Sequence, residues 1–168
     1  MPTTTATRPA YEEDYHAWAL DQAERLRALA RDRPNEPIDW ELLAEEVEGM
    51  GRSERRACES FLVHIVAHLL KIDYARDPEP IPHWVGEIVA FRGNLERSIT
   101  PTIERALRED LAGHYRWAVK TAEAALAQDP TFLGRSPRTC PYGYDQVVGD
   151  WLPERARTGH MPRPRRRR

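Results

Sequence analysis

Six polar side chains occupy positions on or beside the predicted core-facing stripes of four helices: Glu46, His68, Lys71, Arg92, Asp110 and His114. The core-facing stripes of a helical bundle converge, so we expect these side chains to lie close together. Carboxylates and imidazoles on facing helices are the ligands with which bundles hold zinc, manganese or iron. One hypothesis is therefore a metal site built from Glu46, His68, Asp110 and His114, whose bound water would serve a hydrolase.

The same side chains also suit a buried network of ion pairs and hydrogen bonds. Glu46 and Asp110 supply negative charge, Lys71 and Arg92 supply positive charge, and the two histidines bridge them. A buried charge needs a partner, because leaving it alone costs several kcal/mol. Two cations beside two acids would also repel a metal ion. We favour this interpretation, which requires no cofactor.

Other patterns capable of chemistry are weak. His64 and His68 share one helical face, but the glutamate of a His-Glu-x-x-His zinc motif is absent. Cys58 and Cys140 have no neighbouring base in the sequence, and we expect both to be structural. The chain contains no Gly-rich phosphate loop and no nucleophile elbow. The sequence therefore favours a non-enzymatic protein over an enzyme.

The elements that position these residues are predicted from apolar spacing and breakers. Helical periodicity predicts helices over residues 11–30, 38–49, 53–74, 83–99 and 101–128. On the second helix the core-facing stripe is predicted to be Trp40, Leu43, Ala44, Val47 and Met50. Gly49 and Gly51 are predicted to end that helix, whereas Thr100-Pro101 is a start signal. The helix over 53–74 is apolar almost all round, which is typical of a central helix. The fold class is all-α, a four- to five-helix bundle with an irregular C-terminal segment.

Length and charge predict one domain with two flanking segments. We expect a disordered leader over residues 1–10, a single helical domain over 11–153 and a disordered, Arg-rich tail over 154–168. The net charge of −2 hides an asymmetry, since the tail carries +6 and the remainder −8. No apolar run reaches the length of a membrane span, and residues 1–10 lack the apolar core of a signal peptide. These features predict a cytoplasmic protein.

The tail offers a possible contact with nucleic acid through five guanidinium groups: Arg163, Arg165, Arg166, Arg167 and Arg168. It lacks the interleaved aromatic residues that stack on bases, so a solubilising role is the simpler interpretation. Three hypotheses for function follow. The first is a module whose acidic body binds a protein partner or a second copy. The second is the metal-dependent hydrolase, and the third is association with nucleic acid through the tail.

Several short motifs resemble one bacterial family, domain of unknown function 29. They are Tyr11-x-x-Asp14 with Trp18, Asp39-Trp40 followed by Leu43-x-Glu45-Glu46-x-Glu48, residues 51–56, His68-Leu69-Leu70-Lys71, and Cys140-Pro141-Tyr142. The resemblance covers most of residues 11–153 and implies an all-helical fold. It implies no catalytic residues, cofactor or substrate. The chain departs from the family at Ile72, where an aromatic residue is usual, and in its proline-rich connector. The Arg-rich tail lies outside the family pattern.

Overall fold

The computed structural model describes residues 11–33, 36–75, 77–127 and 136–158. Within these ranges the chain forms seven helices and no strand: α1 (Tyr15–Asp32), α2 (Trp40–Tyr74), α3 (Ile81–Ser98), α4 (Pro101–Glu109), α5 (Leu111–Leu126), α6 (Tyr144–Val148) and α7 (Glu154–Thr158). The prediction of an all-α fold is confirmed. None of the helices in the described ranges is both long and apolar enough to cross a membrane.

The chain divides into two compact units, Met1–Cys58 with Ser98–Ala106 and Glu59–Arg97 with Leu107–Arg168. Helices α2 and α4 contribute residues to both. A single domain over residues 11–153 stays a prediction. The expected leader, 1–10, and most of the expected tail lie outside the described residues. The beginning of that tail differs from the prediction, because its first five residues form α7.

Helix α2 is one continuous helix of 35 residues, so the predicted break at Gly49 and Gly51 is wrong. The reason lies in the first unit, where α1 runs antiparallel to the first half of α2. Gly51 is buried, and a Cβ added to it would lie 2.9 Å from the Cβ of Ala19 on α1. Its carbonyl also lies 2.8 Å from His16 Nδ1. Close helix packing thus offsets the weak helix propensity of glycine.

This close contact also decides which face of α2 is buried. The buried line follows Ala44, Gly51 and Cys58, at intervals of seven residues. Leu43 and Met50, predicted to face the core, are 44% and 47% exposed. That part of the predicted core-facing stripe is wrong. Ala19 and Gly51 are small and let α1 and α2 approach closely, so only a narrow strip of α2 is buried against α1.

One carboxylate joins the helix ends of the first unit. Asp14 is buried, and its Oδ1 accepts a hydrogen bond of 3.0 Å from the backbone N–H of Ala17 in the first turn of α1. Its Oδ2 accepts one of 2.9 Å from the N–H of Thr102 in the first turn of α4. Helix α4 begins at Pro101, as the Thr100-Pro101 signal predicted. Asp14 therefore satisfies free backbone donors of two helices at once.

In the second unit, the latter part of α2 is central, as predicted. No residue from 61 to 75 is exposed, and the largest fully buried side chains are Leu62, Ile65, Val66, Leu69, Leu70 and Ile72. The helix predicted over 101–128 is instead divided at Asp110. This residue leaves helical geometry and becomes the N-cap of α5, where its side chain accepts a hydrogen bond from the N–H of Gly113. Local capping by aspartate therefore overrides the continuous periodicity.

The two glycines of α2 should respond to alanine in opposite directions. Gly51→Ala should lower the free energy of unfolding, because the new methyl would force α1 and α2 apart. Gly49→Ala should raise it by about 0.5 to 1 kcal/mol, since a Cβ there meets nothing within 4 Å and alanine favours the helix. Urea unfolding measures both changes. A gain for both variants would contradict the close contact at Gly51.

Asp14→Ala should lower the free energy of unfolding by about 1 to 3 kcal/mol, because donors of two helices lose their acceptor. Burial raises the pKa of Asp14, but hydrogen bonds from Ala17, Thr102 and Thr100 outweigh it and hold the pKa below its ordinary value. The stabilisation is therefore fully present above the unfolded pKa of about 4 and is lost as the pH falls through the lower folded value. The difference between the two proteins should shrink in acid. The exposed Glu12→Ala serves as control, and a pH-independent difference would refute the capping role.

Candidate interaction surface

The two acids of the predicted polar cluster are not in the core. Glu46 is exposed on α2, and Asp110 is exposed at the start of α5, where it accepts a 3.1 Å hydrogen bond from the N–H of Gly113. The described residues contain no group of three or more His, Cys, Asp or Glu side chains that could hold a metal ion. Glu46, His68, Asp110 and His114 form no such group, so the structure gives the metal-site hypothesis no support. Nor are Glu46 and Asp110 the buried acids that the network with Lys71 and Arg92 required.

His68 and Lys71 of the second unit contact aromatic side chains of α3. His68 Nδ1 lies 2.7 Å from the carbonyl oxygen of His64, and its ring lies 5.8 Å from that of Phe91. Desolvation by burial lowers the pKa of His68, which favours the neutral imidazole. The ammonium group of Lys71 lies 5.0 Å from the ring centre of Trp84, and burial lowers its pKa as well. Their neighbours thus favour packing and cation–π contact over proton transfer.

His114 is half-buried on α5. Arg92, the remaining member of the predicted cluster, binds backbone oxygens instead of acids. Its guanidinium donates to the carbonyls of Gln146, Val147 and Trp151 at 2.9, 2.9 and 2.8 Å. Burial lowers its pKa, and the charge of Asp150 partly offsets that effect. Arg92 therefore holds the segment around α6 against α3.

Two further polar contacts in the second unit were not predicted. Arg155 is buried and donates to the carbonyls of Ile72 and Ala75, at the C-terminal end of α2. Tyr142 donates its hydroxyl proton to Asp73 at 2.6 Å. Burial raises the pKa of Asp73, although the Tyr142 hydrogen bond and the charge of Arg155 oppose the change. The sequence predicts Arg155 to belong to the Arg-rich tail, because nothing in the sequence distinguishes it from the arginines that follow.

An exposed surface of α2 combines apolar side chains with acids. We call it the α2 acidic–apolar face and define it by Leu42, Leu43, Glu45, Glu46 and Met50. Leu42 is 53% exposed, so it leaves about as much surface open to water as Leu43 and Met50 do. Leu42, Glu46 and Met50 follow one another at intervals of four residues, which aligns them along one side of the helix. Sequence reasoning missed this surface because it assigned Leu43 and Met50 to the core.

The acids of α2 differ in their partners. Glu48 forms ion pairs with Arg27 of α1 and, at 2.6 Å, with Arg52, and Glu41 lies 3.8 Å from Arg27. These ion pairs lie beside the contact with α1. Glu45 and Glu46 are exposed and form no ion pair within the described part of the chain. The acidic–apolar face therefore carries two carboxylates that form no close ion pair with the described residues, although the charge of Glu45 contributes to the raised pKa of Arg27.

Arg92→Met should lower the free energy of unfolding by about 2 to 4 kcal/mol, because three carbonyls lose a charged donor. Amide hydrogen exchange should also accelerate over residues 144–151. Arg97→Met is the matched control, since Arg97 is exposed and, among the described residues, bonds only Asn94 on its own helix. The control should change stability by less than about 0.5 kcal/mol. Equal effects of the two substitutions would show that Arg92 does not hold the segment.

Comparison with known proteins agrees with the sequence resemblance. The family model described as Domain of unknown function DUF29 matches residues 10–152. A crystal structure of an alpha-helical protein of unknown function from Rhodospirillum rubrum is 31% identical to the chain, with a TM-score of 0.74. The match covers 85% of this chain and 91% of that one. No curated protein matches. The chain therefore belongs to the DUF29 family.

Proposed function

We propose that this protein is a non-enzymatic interaction module that binds a cationic, amphipathic segment of another protein on the α2 acidic–apolar face. One observation carries the proposal: Leu42, Leu43 and Met50 are about half exposed beside Glu45 and Glu46, which have no ion-pair partner in the described residues. A partner that covered these side chains would gain from the burial of apolar surface.

The spacing supports a helical partner. Leu42 and Leu43 lie about two helical turns before Met50, with Glu46 between them, so the apolar face of another amphipathic helix can pack against both ends of this surface. The charges support a basic partner. Burial of Glu45 or Glu46 against apolar groups would be unfavourable, whereas lysine or arginine at the rim would pair with both. We therefore expect the partner helix to carry apolar side chains bordered by lysine or arginine.

The cytoplasm is our proposed location for this interaction. Cys58 and Cys140 are both free thiols, which is usual in a reducing compartment. Association with nucleic acid through Arg163 and residues 165–168 stays a prediction, because those residues lie outside the described ranges. The hydrolase hypothesis is not carried forward, since its two carboxylates, Glu46 and Asp110, are exposed.

The test uses a synthetic helical peptide with leucine at helical spacing and lysine elsewhere. Fluorescence anisotropy would compare its affinity for the protein and for Leu42→Ser/Met50→Ser, with Val89→Ser as a control at another exposed apolar position. We expect the double substitution to weaken binding by about tenfold or more and the control to have little effect.

A scrambled peptide of the same composition separates this binding from simple charge attraction. We expect the scrambled peptide to bind more weakly, and Glu45→Gln/Glu46→Gln to reduce the salt dependence of binding of the original peptide. Equal affinity for both peptides, or no loss on substitution of Leu42 and Met50, would rule out the proposed face.

A further inference from the structure

Three aromatic side chains of the first unit form a cluster at the start of α1. Tyr11 packs edge-on against Tyr15 and Trp18, with ring centres 5.3 and 4.8 Å apart. Tyr15 and Trp18 stack with their centres 5.8 Å apart. A contact that only fixed the entry of the chain into the helix would bury Tyr11 against α1. Tyr11 is instead 57% exposed, so the cluster presents an aromatic surface to solvent.

The polar groups around this cluster are open to a ligand. Neither phenol nor the indole N–H makes a hydrogen bond to another described residue. Glu12 and Glu13, which follow Tyr11, are exposed and form no ion pair in the described ranges. Aromatic faces, free hydrogen-bond donors and unpaired carboxylates are the combination that binds proline-rich peptides containing arginine.

We propose that this aromatic cluster binds residues 161–168 of a second copy of the chain. That segment reads MPRPRRRR, with prolines at 162 and 164 and five arginines. Proline restricts φ and favours the polyproline II conformation, so a peptide of this sequence loses little conformational entropy when it binds. Its prolines fit against the aromatic rings, and its arginines pair with Glu12 and Glu13.

Charge and composition favour the C-terminal tail of a second copy as the ligand of the aromatic cluster. Residues 1–153 carry −8 and residues 154–168 carry +6, so two copies attract each other when the tail of one meets the body of the other. Beyond residue 158 the tail contains one large apolar side chain, Met161, which is too few to cover the three apolar anchors of α2. Its prolines favour an aromatic surface. This inference concerns a different surface from the proposed function and does not depend on it.

The first experiment measures binding of a fluorescent peptide with the sequence of residues 159–168 to the full chain at low ionic strength. We expect Tyr11→Ala to weaken binding by roughly fivefold or more, as does substitution of Pro162→Gly and Pro164→Gly in the peptide. Trp117→Ala is the matched control, since Trp117 is an exposed aromatic residue of α5, at 63% exposure. Glu12→Gln/Glu13→Gln should also weaken binding, and these exposed positions carry no risk to folding.

Sedimentation of the full chain then tests the second copy. We expect association that depends on concentration and salt, and that is lost on truncation after Gly159 and reduced by Tyr11→Ala. Equal binding of the proline-free peptide would reduce the contact to charge alone and overturn the proposal. So would unchanged binding by both the Tyr11 and the Glu12/Glu13 variants, or a full chain that stays monomeric at every concentration.

Discussion

Buried helix ends need hydrogen-bond partners, and charged side chains supply several of them in both units. The first turn of a helix has backbone donors without acceptors, and the last turn has carbonyls without donors. Asp14 accepts from the first turns of α1 and α4 in the first unit. In the second unit, Arg155 donates to the last carbonyls of α2, and Arg92 donates to carbonyls around α6. Each of these side chains makes hydrogen bonds that water would make at an exposed helix end.

The same use of charge occupies the polar side chains near the core of the second unit. The guanidinium of Arg92 is occupied by three carbonyls, and the hydroxyl of Tyr142 is occupied by Asp73. His68 lies between a backbone carbonyl and the ring of Phe91, and burial lowers its pKa. Groups with such partners are poorly placed to bind substrate. The side chains that remain available lie on the surface, which is why both proposals concern recognition of proteins.

Particular residues show how far a single sequence can predict this structure. Apolar periodicity located α1, α3 and the central half of α2, because burial there follows the helical repeat. It failed at Gly51, where packing against Ala19 keeps the helix intact, and at Asp110, where capping of Gly113 divides one predicted helix into two. In both cases a contact between a few atoms decided whether the helix continued. Apolar periodicity is averaged over many residues, so it does not reveal such a contact.

The sequence by itself determined the all-α class, the family and the contrast between an acidic body and a basic end. Those properties depend on composition and on patterns that many residues share. Only the tertiary structure decided which face of α2 is open and where each charged side chain finds its partner. Leu43 and Ala44 are neighbours and both apolar, yet only Ala44 is buried. The physical reason is that burial depends on the size of the residues on the opposing helix, which lie far away in the chain.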